Sequence, residues 1–305
     1  MNNIKPTQLS FGKKIGLFLC LWLFATIIGS FIVGFITLKF GANSTPALRI
    51  ATILQDVIIF ILPAIATAML ITRLPATFLA IDKTSKYKNY LLTILTMLVS
   101  IPAMNFIIEW NASMQFPESI KGLENWMRNS ENNAAIMVKT MLGQPDIPNL
   151  IMSILIVGVL AGLSEELFFR GALQKILLSK PMNGHIAIWI TAFIFSAIHM
   201  QFYGFIPRLL LGAFFGYLVV WSGSLWLPIV AHAFNNITTV FVTWLYNSGC
   251  IDSDPNQLGA AMTPFDTTIA ITSVIATITL IIYLKKSFSQ TSCDGKQNHD
   301  QDTSL

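Results

Sequence analysis

The feature that most constrains this chain is a series of long stretches without one charged side chain. Residues 15–38, 57–72, 89–108, 147–164, 181–207, 209–251 and 267–284 contain no Asp, Glu, Lys or Arg. About 20 mostly apolar residues in a helix cross the hydrocarbon core of a bilayer. The stretch 209–251 is too long for one crossing, and Trp221-Ser222-Gly223-Ser224 divides it with a turn signal. The span that begins near 147 continues across a charged patch to about 180. The pattern therefore predicts eight helices, near 15–38, 50–72, 89–109, 148–179, 185–200, 205–221, 225–246 and 266–284. The expected fold class is all-α: a polytopic membrane protein whose functional groups lie inside the helix bundle.

Composition excludes the main competitors. Charged residues make up 11 % of the 305 residues, against about 25 % in an ordinary soluble domain, and the mean hydropathy is +0.64. The net charge of +4 is small and scattered, so nucleic acid is not an expected partner. Cys20, Cys250 and Cys293 are far apart and fit neither a disulfide framework nor a metal spacing. The first span reads as an uncleaved signal anchor, because its apolar core exceeds a signal h-region and no clear cleavage site follows. With the N-terminus inside, the inner segments hold twelve Lys and Arg and the outer segments five. By the positive-inside rule both termini are expected in the cytoplasm of a plasma-membrane protein. Residues 110–147 mix charged, amide and apolar side chains, as an amphipathic helix on the outer surface would. The polar tail 287–305 is expected to be disordered. The expected divisions are 1–147, N-terminal helices and outer segment; 148–246, a core; and 247–305, the last helix and tail.

Ionisable groups inside a bilayer cost roughly 2.5–3.5 kcal/mol each on insertion scales, yet here they cluster. The fourth span holds Ser164-Glu165-Glu166-Leu167-Phe168-Phe169-Arg170, the fifth Phe195-Ser196-Ala197-Ile198-His199, the seventh His232-Ala233-Phe234-Asn235-Asn236. Glu166 and Arg170 are i and i+4, which allows them to pair. Glu165 is turned about 100° from Glu166 and is left to face a cavity. His232 and Asn236, also i and i+4, present an imidazole and an amide to one spot. Glu165 and His199 are equidistant from Met182 in the turn Pro181-Met182-Asn183-Gly184, and so at one depth. His232 and Asn236 lie 8 and 12 residues past Ser224, about 12–18 Å in, and a tilted or bent helix then brings a carboxylate, two imidazoles and an amide together. A Glu and a His across a wet cavity can deprotonate a water, and a second His with an amide can donate to a developing oxyanion. This is the equipment of a hydrolase acting on a carbonyl centre.

Each residue also has a plainer reading: Glu166–Arg170 as a packing ion pair, Asn236 as helix–helix glue. Asp56 and Arg208 are further intramembrane charges that could pair or line a water path, and the sequence assigns them no role. A proton-coupled transporter, with Glu, His and Arg as a relay, and a non-catalytic membrane scaffold are the alternatives.

Glu165-Glu166-x-x-x-Arg170, Phe195-x-x-x-His199 and His232-x-x-x-Asn236 together resemble the three motifs of the CPBP intramembrane proteases. That family includes the type II CAAX prenyl endopeptidases and the Abi or bacteriocin-immunity proteins, and the resemblance covers about 148–246. It implies an endopeptidase acting on a membrane-associated protein or peptide. It further implies that Glu165 and His199 hold and activate water, His232 and Asn236 form the oxyanion site, and Glu166 and Arg170 support them. No cofactor is expected. Zinc is the alternative, with Glu165, His199 and His232 as its three ligands, although the sequence lacks HExxH.

Overall fold

The computed structural model describes residues 9–41, 44–180, 183–252 and 264–301, the last stretch with side chains over 265–288. Among these residues there is no strand. The longer helices are α1 (Phe11–Phe40), α2 (Thr45–Ile71), α3 (Tyr87–Ala112), α4 (Lys121–Leu142), α5 (Ile147–Leu178), α6 (Gly184–Ala197), α7 (Phe205–Ser222), α8 (Trp226–Asn247) and α9 (Pro264–Gln301).

Apart from the amphipathic α4, these are the eight helices expected, but they are not equivalent as spans. Six are long and apolar enough to cross a membrane. Helix α6 has only 14 residues. Helix α8 has 22, but His232, Asn235, Asn236, Thr238, Thr239 and Thr243 make it polar. The protein is a multi-pass membrane protein in which one of the two helices least suited to lipid, α8, carries His232 and Asn236, and the other, α6, leads into the turn at His199. The last helix runs on to Gln301, past the charge-free stretch that ends at 284. Residues 302–305 of the tail expected to be disordered lie outside the described residues. Pro181 and Met182 of the expected turn also lie outside them.

The outward faces are apolar, as lipid requires: Leu23, Phe24, Phe31 and Leu38 of α1 are exposed. Inward, an aromatic chain ties α1 to α6. Phe18 meets Phe168 at 4.8 Å between ring centroids, Phe168 meets Phe169 at 5.0 Å, and Phe169 meets Phe195 at 5.2 Å. The last two contacts are edge-to-face, which the aromatic quadrupole favours. Pro102 interrupts α3, and α9 repairs the break. Ser273 Oγ accepts from Ala103 N at 3.2 Å and donates to Val99 O at 2.5 Å. This re-satisfies backbone groups that could not stay unpaired in lipid.

Helix α4 is fixed at both ends. Arg49 of α2 donates to the terminal carbonyls of Met141 and Leu142, a cation completing a helix C-terminus. Toward its other end Trp126 packs on Phe202, and Glu131 Oε2 accepts from Tyr203 N at 3.3 Å. The connection that follows α6 is thereby held under α4.

Candidate active site

Helix α5 is not a uniform α-helix. Ile154–Leu160 and Leu167–Leu173 are π-helical, and the α segment Ala161–Glu166 lies between them. Helix α2 has a third π segment, Asp56–Ile61. Such i→i+5 turns occur mostly as insertions at functional sites. All three lie around the Glu165-Glu166 pair, and charge and hydropathy patterns carry no trace of them.

Small residues set the distances between helices. Gly158-x-x-x-Gly162 on α5 faces α8, and a β-carbon on Gly162 would stand 3.1 Å from Ala233 N. Gly212-x-x-x-Gly216 on α7 faces α5, and a β-carbon on Gly212 would stand 3.1 Å from Arg170 Nη2. Both are the G-x-x-x-G spacing that lets membrane helices approach closely. Both spacings are visible in the sequence. Through these contacts Arg170 and Gln174 donate to the carbonyls of Gly212 and Gly216 at 2.9 and 3.0 Å.

The adjacent glutamates have opposite environments. Glu166 is fully buried, and its Oε1 takes Arg170 Nη1 at 2.7 Å and His232 Nδ1 at 2.9 Å. Arg170 is also fully buried, with the faces of Phe195, Phe215 and Phe169 around its guanidinium. Glu165 keeps 15 % of its side chain exposed. Its Oε2 lies 3.7 Å from His232 Nε2 and 4.0 Å from His199 Nε2.

Each imidazole is aimed by its other nitrogen. His199 Nδ1 lies 2.7 Å from Phe195 O. A carbonyl only accepts, so Nδ1 carries the hydrogen and Nε2 is turned to Glu165. His199 was expected inside its helix, but α6 ends at Ala197. The chain turns at Met200, which has φ +55, so His199 stands on the turn and uses the free carbonyl one turn back. It is 27 % exposed along its side chain. His232 has its Nδ1 on Glu166, its ring stacked on Phe215 at 5.2 Å, and Phe195 edge-on at 5.7 Å.

Asn236 is placed differently from its expected partner. Its Nδ2 donates to Val157 O, inside the first π segment, at 3.1 Å. One amide hydrogen is thus engaged, and the other remains. Asp56 and Arg208 do not bond each other. Arg208 donates to Gln201 Oε1 at 2.7 Å, two residues beyond His199. Asp56 bonds Ser164, and its electrostatic partners include Glu165 and His232.

Among the described residues, no group of three or more His, Cys, Asp or Glu is disposed to hold a metal ion. Glu165, His199 and His232 converge, with the Nε2 atoms of His232 and His199 3.7 and 4.0 Å from Glu165 Oε2, and are the three side chains that a zinc ion would require.

Residues 147–238 match the family described as type II CAAX prenyl endopeptidase Rce1-like. An uncharacterized protein, YpbD, of Bacillus subtilis (strain 168) is 29 % identical over 98 residues, 31 % of this chain and 45 % of that protein. The match thus spans less than half of that relative's length. No solved structure matches the chain. The matched segment 147–238, about a third of the chain, contains Glu165, Glu166, Arg170, His199, His232 and Asn236.

Proposed function

We propose that this protein is an intramembrane endopeptidase that hydrolyses a peptide bond of a membrane-associated protein or peptide. The observation that carries this reading is the convergence on Glu165 Oε2. Two imidazole Nε2 atoms from two other parts of the chain lie within 4.0 Å of it. Glu165 is also the glutamate of the pair that keeps an exposed face.

In this reading Glu165 Oε2 and His199 Nε2 hold one water between them. Glu165 takes a proton from the water as its oxygen attacks the carbonyl carbon. A positioned base of this kind contributes about 10²–10⁴-fold. The electron pair of the carbonyl moves to oxygen. The oxyanion is met by the N–H of the Asn236 amide not bound to Val157 and, with His232 protonated on both ring nitrogens, by its Nε2–H. Collapse of the tetrahedral intermediate expels the amine, which leaves with the proton from Glu165. Glu166 and Arg170 touch no reacting atom. They lock the His232 ring so that its Nε2 points at the reacting centre.

This reading uses no metal ion, since it assigns His232 Nε2 to the oxyanion. The substrate is a protein or peptide that reaches the site from the bilayer, and nucleic acid has no place in it. The location is the plasma membrane, with both termini in the cytoplasm. Comparative membrane proteomics of cells carrying the wild type or Glu165→Gln tests the reading. An uncleaved membrane protein accumulates in the variant if it is right. Indistinguishable proteomes would count against it.

A further inference from the structure

Asp56 opens the π segment of α2 and precedes the family-matched residues 147–238. It is 2 % exposed. Its Oδ2 has no hydrogen-bond partner among the described residues. None of the ion pairs among those residues includes it. The charged or titratable groups that act on it are Glu165 and His232, and none from α1 or the rest of α2 does so. Arg170, on the π segment of α5 packed alongside, acts on Glu166 and Glu165 instead.

Ser164 supplies the constraint. Its hydroxyl oxygen lies 3.0 Å from Ala161 O and 3.1 Å from Asp56 Oδ1. A hydroxyl has one hydrogen to give. A backbone carbonyl only accepts, and so does an ionised carboxylate. With Asp56 ionised, one of the two acceptors would go without a hydrogen. With a proton on Asp56 both contacts are made: Ser164 donates to Ala161 O, and Asp56 donates to Ser164 Oγ. Burial favours the same state, since an isolated ionised carboxylate away from water is far more costly than the neutral acid.

We propose that Asp56 is a positioning residue, a neutral carboxylic acid that donates through Ser164 to the helical turn carrying Glu165. It rests on Glu165 being the base. Glu166 is neutralised by Arg170, and Asp56 holds its own proton. Glu165 then carries a negative charge with no cation in hydrogen-bonded contact among the described residues, although Arg170 and Arg208 act on it at longer range. Two neighbouring carboxyls out of water do not both ionise, so a proton kept on Asp56 leaves Glu165 free to take one from water.

Infrared spectra of the full chain in lipid nanodiscs at neutral pH locate the proton. The carbonyl stretch of a protonated carboxylic acid is expected in the wild type and in Glu165→Gln, shifted in Ser164→Ala and lost in Asp56→Asn. Turnover gives a second readout. Asp56→Ala is expected to lower kcat about 10²-fold, the effect of misplacing a reacting group, with KM little changed. Asp56→Asn, which donates the same hydrogen bond, is expected to recover most of that loss. A band that persists in Asp56→Asn would overturn the proposal. So would an Asp56→Asn variant as inactive as Glu165→Gln, because the carboxyl would then be reacting rather than positioning. The spectra need no turnover, so absence of peptidase activity in the wild type would count against the endopeptidase reading alone.

Discussion

Glu166→Gln separates the supporting ion pair from the chemistry. In the wild type one oxygen, Glu166 Oε1, serves Arg170 at 2.7 Å and His232 at 2.9 Å, and no part of either member of the Glu166–Arg170 pair is exposed. The amide removes the charge and leaves a guanidinium with no water. Its remaining partners are an uncharged amide oxygen, the Gly212 carbonyl at 2.9 Å, three ring faces at 4.5, 5.5 and 5.9 Å, and Glu165 at longer range. A cation over an aromatic face is worth about 0.5–2 kcal/mol. Breaking a buried pair by removing one partner costs about 3–5 kcal/mol. The rings soften the loss without offsetting it. Glu166→Gln is therefore expected to lose about 3–5 kcal/mol, a large part of a typical total of about 5–15 kcal/mol. Glu166→Gln with Arg170→Met strands no charge and is expected to lie well above the single variant. Reversible unfolding in mixed micelles measures both. A single variant within about 1 kcal/mol of wild type would refute the reasoning, as would additivity of the two substitutions, because residues that share a buried pair do not add.

Gly212→Ala places a β-carbon 3.1 Å from Arg170 Nη2 and from Phe195 Cδ1 and is expected to cost about 1–3 kcal/mol by overpacking. Gly34→Ala, with no atom within 4 Å of the added carbon, is expected to be neutral or slightly stabilising in the same melting assay. Burial pushes the Glu131 carboxyl of α4 up, against the Tyr203 N–H and Arg208, which pull it down. A raised carboxyl stabilises the folded form most below its ordinary value of 4.5, and that contribution is lost as pH rises through the raised value. Hydrogen exchange over 121–142 should therefore quicken as pH rises out of that range, after correction for intrinsic rates, and Glu131→Gln should flatten the change; quickening on acidification would contradict it. Purified protein is expected to hold well under one zinc per chain and to keep its activity after EDTA dialysis. Stoichiometric zinc that disappears in His232→Ala, with activity restored to chelated wild type by zinc, would make it a metalloenzyme.

The helices were legible because lipid imposes a length rule that charge-free stretches report directly. The juxtaposition of Glu165 and His199 was legible too, since equal distances from one turn give equal depth, whereas bringing His232 to that depth required a tilted or bent helix. Other features leave no mark in composition. The three π segments are a backbone choice that hydropathy does not encode. His199 left its helix because the chain turns at Met200, one residue further on. Asn236 was expected to share one spot with His232, but its first partner is Val157 O, a carbonyl that the π segment places within reach. Gly158, Gly162, Gly212 and Gly216 did carry a readable spacing. Their partners, Ala233 and Ile237 for the first pair and Arg170 and Gln174 for the second, became visible only once the helices were placed against one another.

Cleavage of a quenched-fluorescent peptide library by purified protein in nanodiscs tests the central assignment most directly, with wild type and Glu165→Gln compared at equal folded concentration. Glu165 Oε2 is the atom on which both imidazoles converge, and the amide keeps its shape while removing the base. Loss of a general base costs about 10²–10⁴-fold. The expected result is turnover reduced by at least the lower end of that range, with the melting temperature unchanged. Turnover retained in folded Glu165→Gln would contradict the assignment.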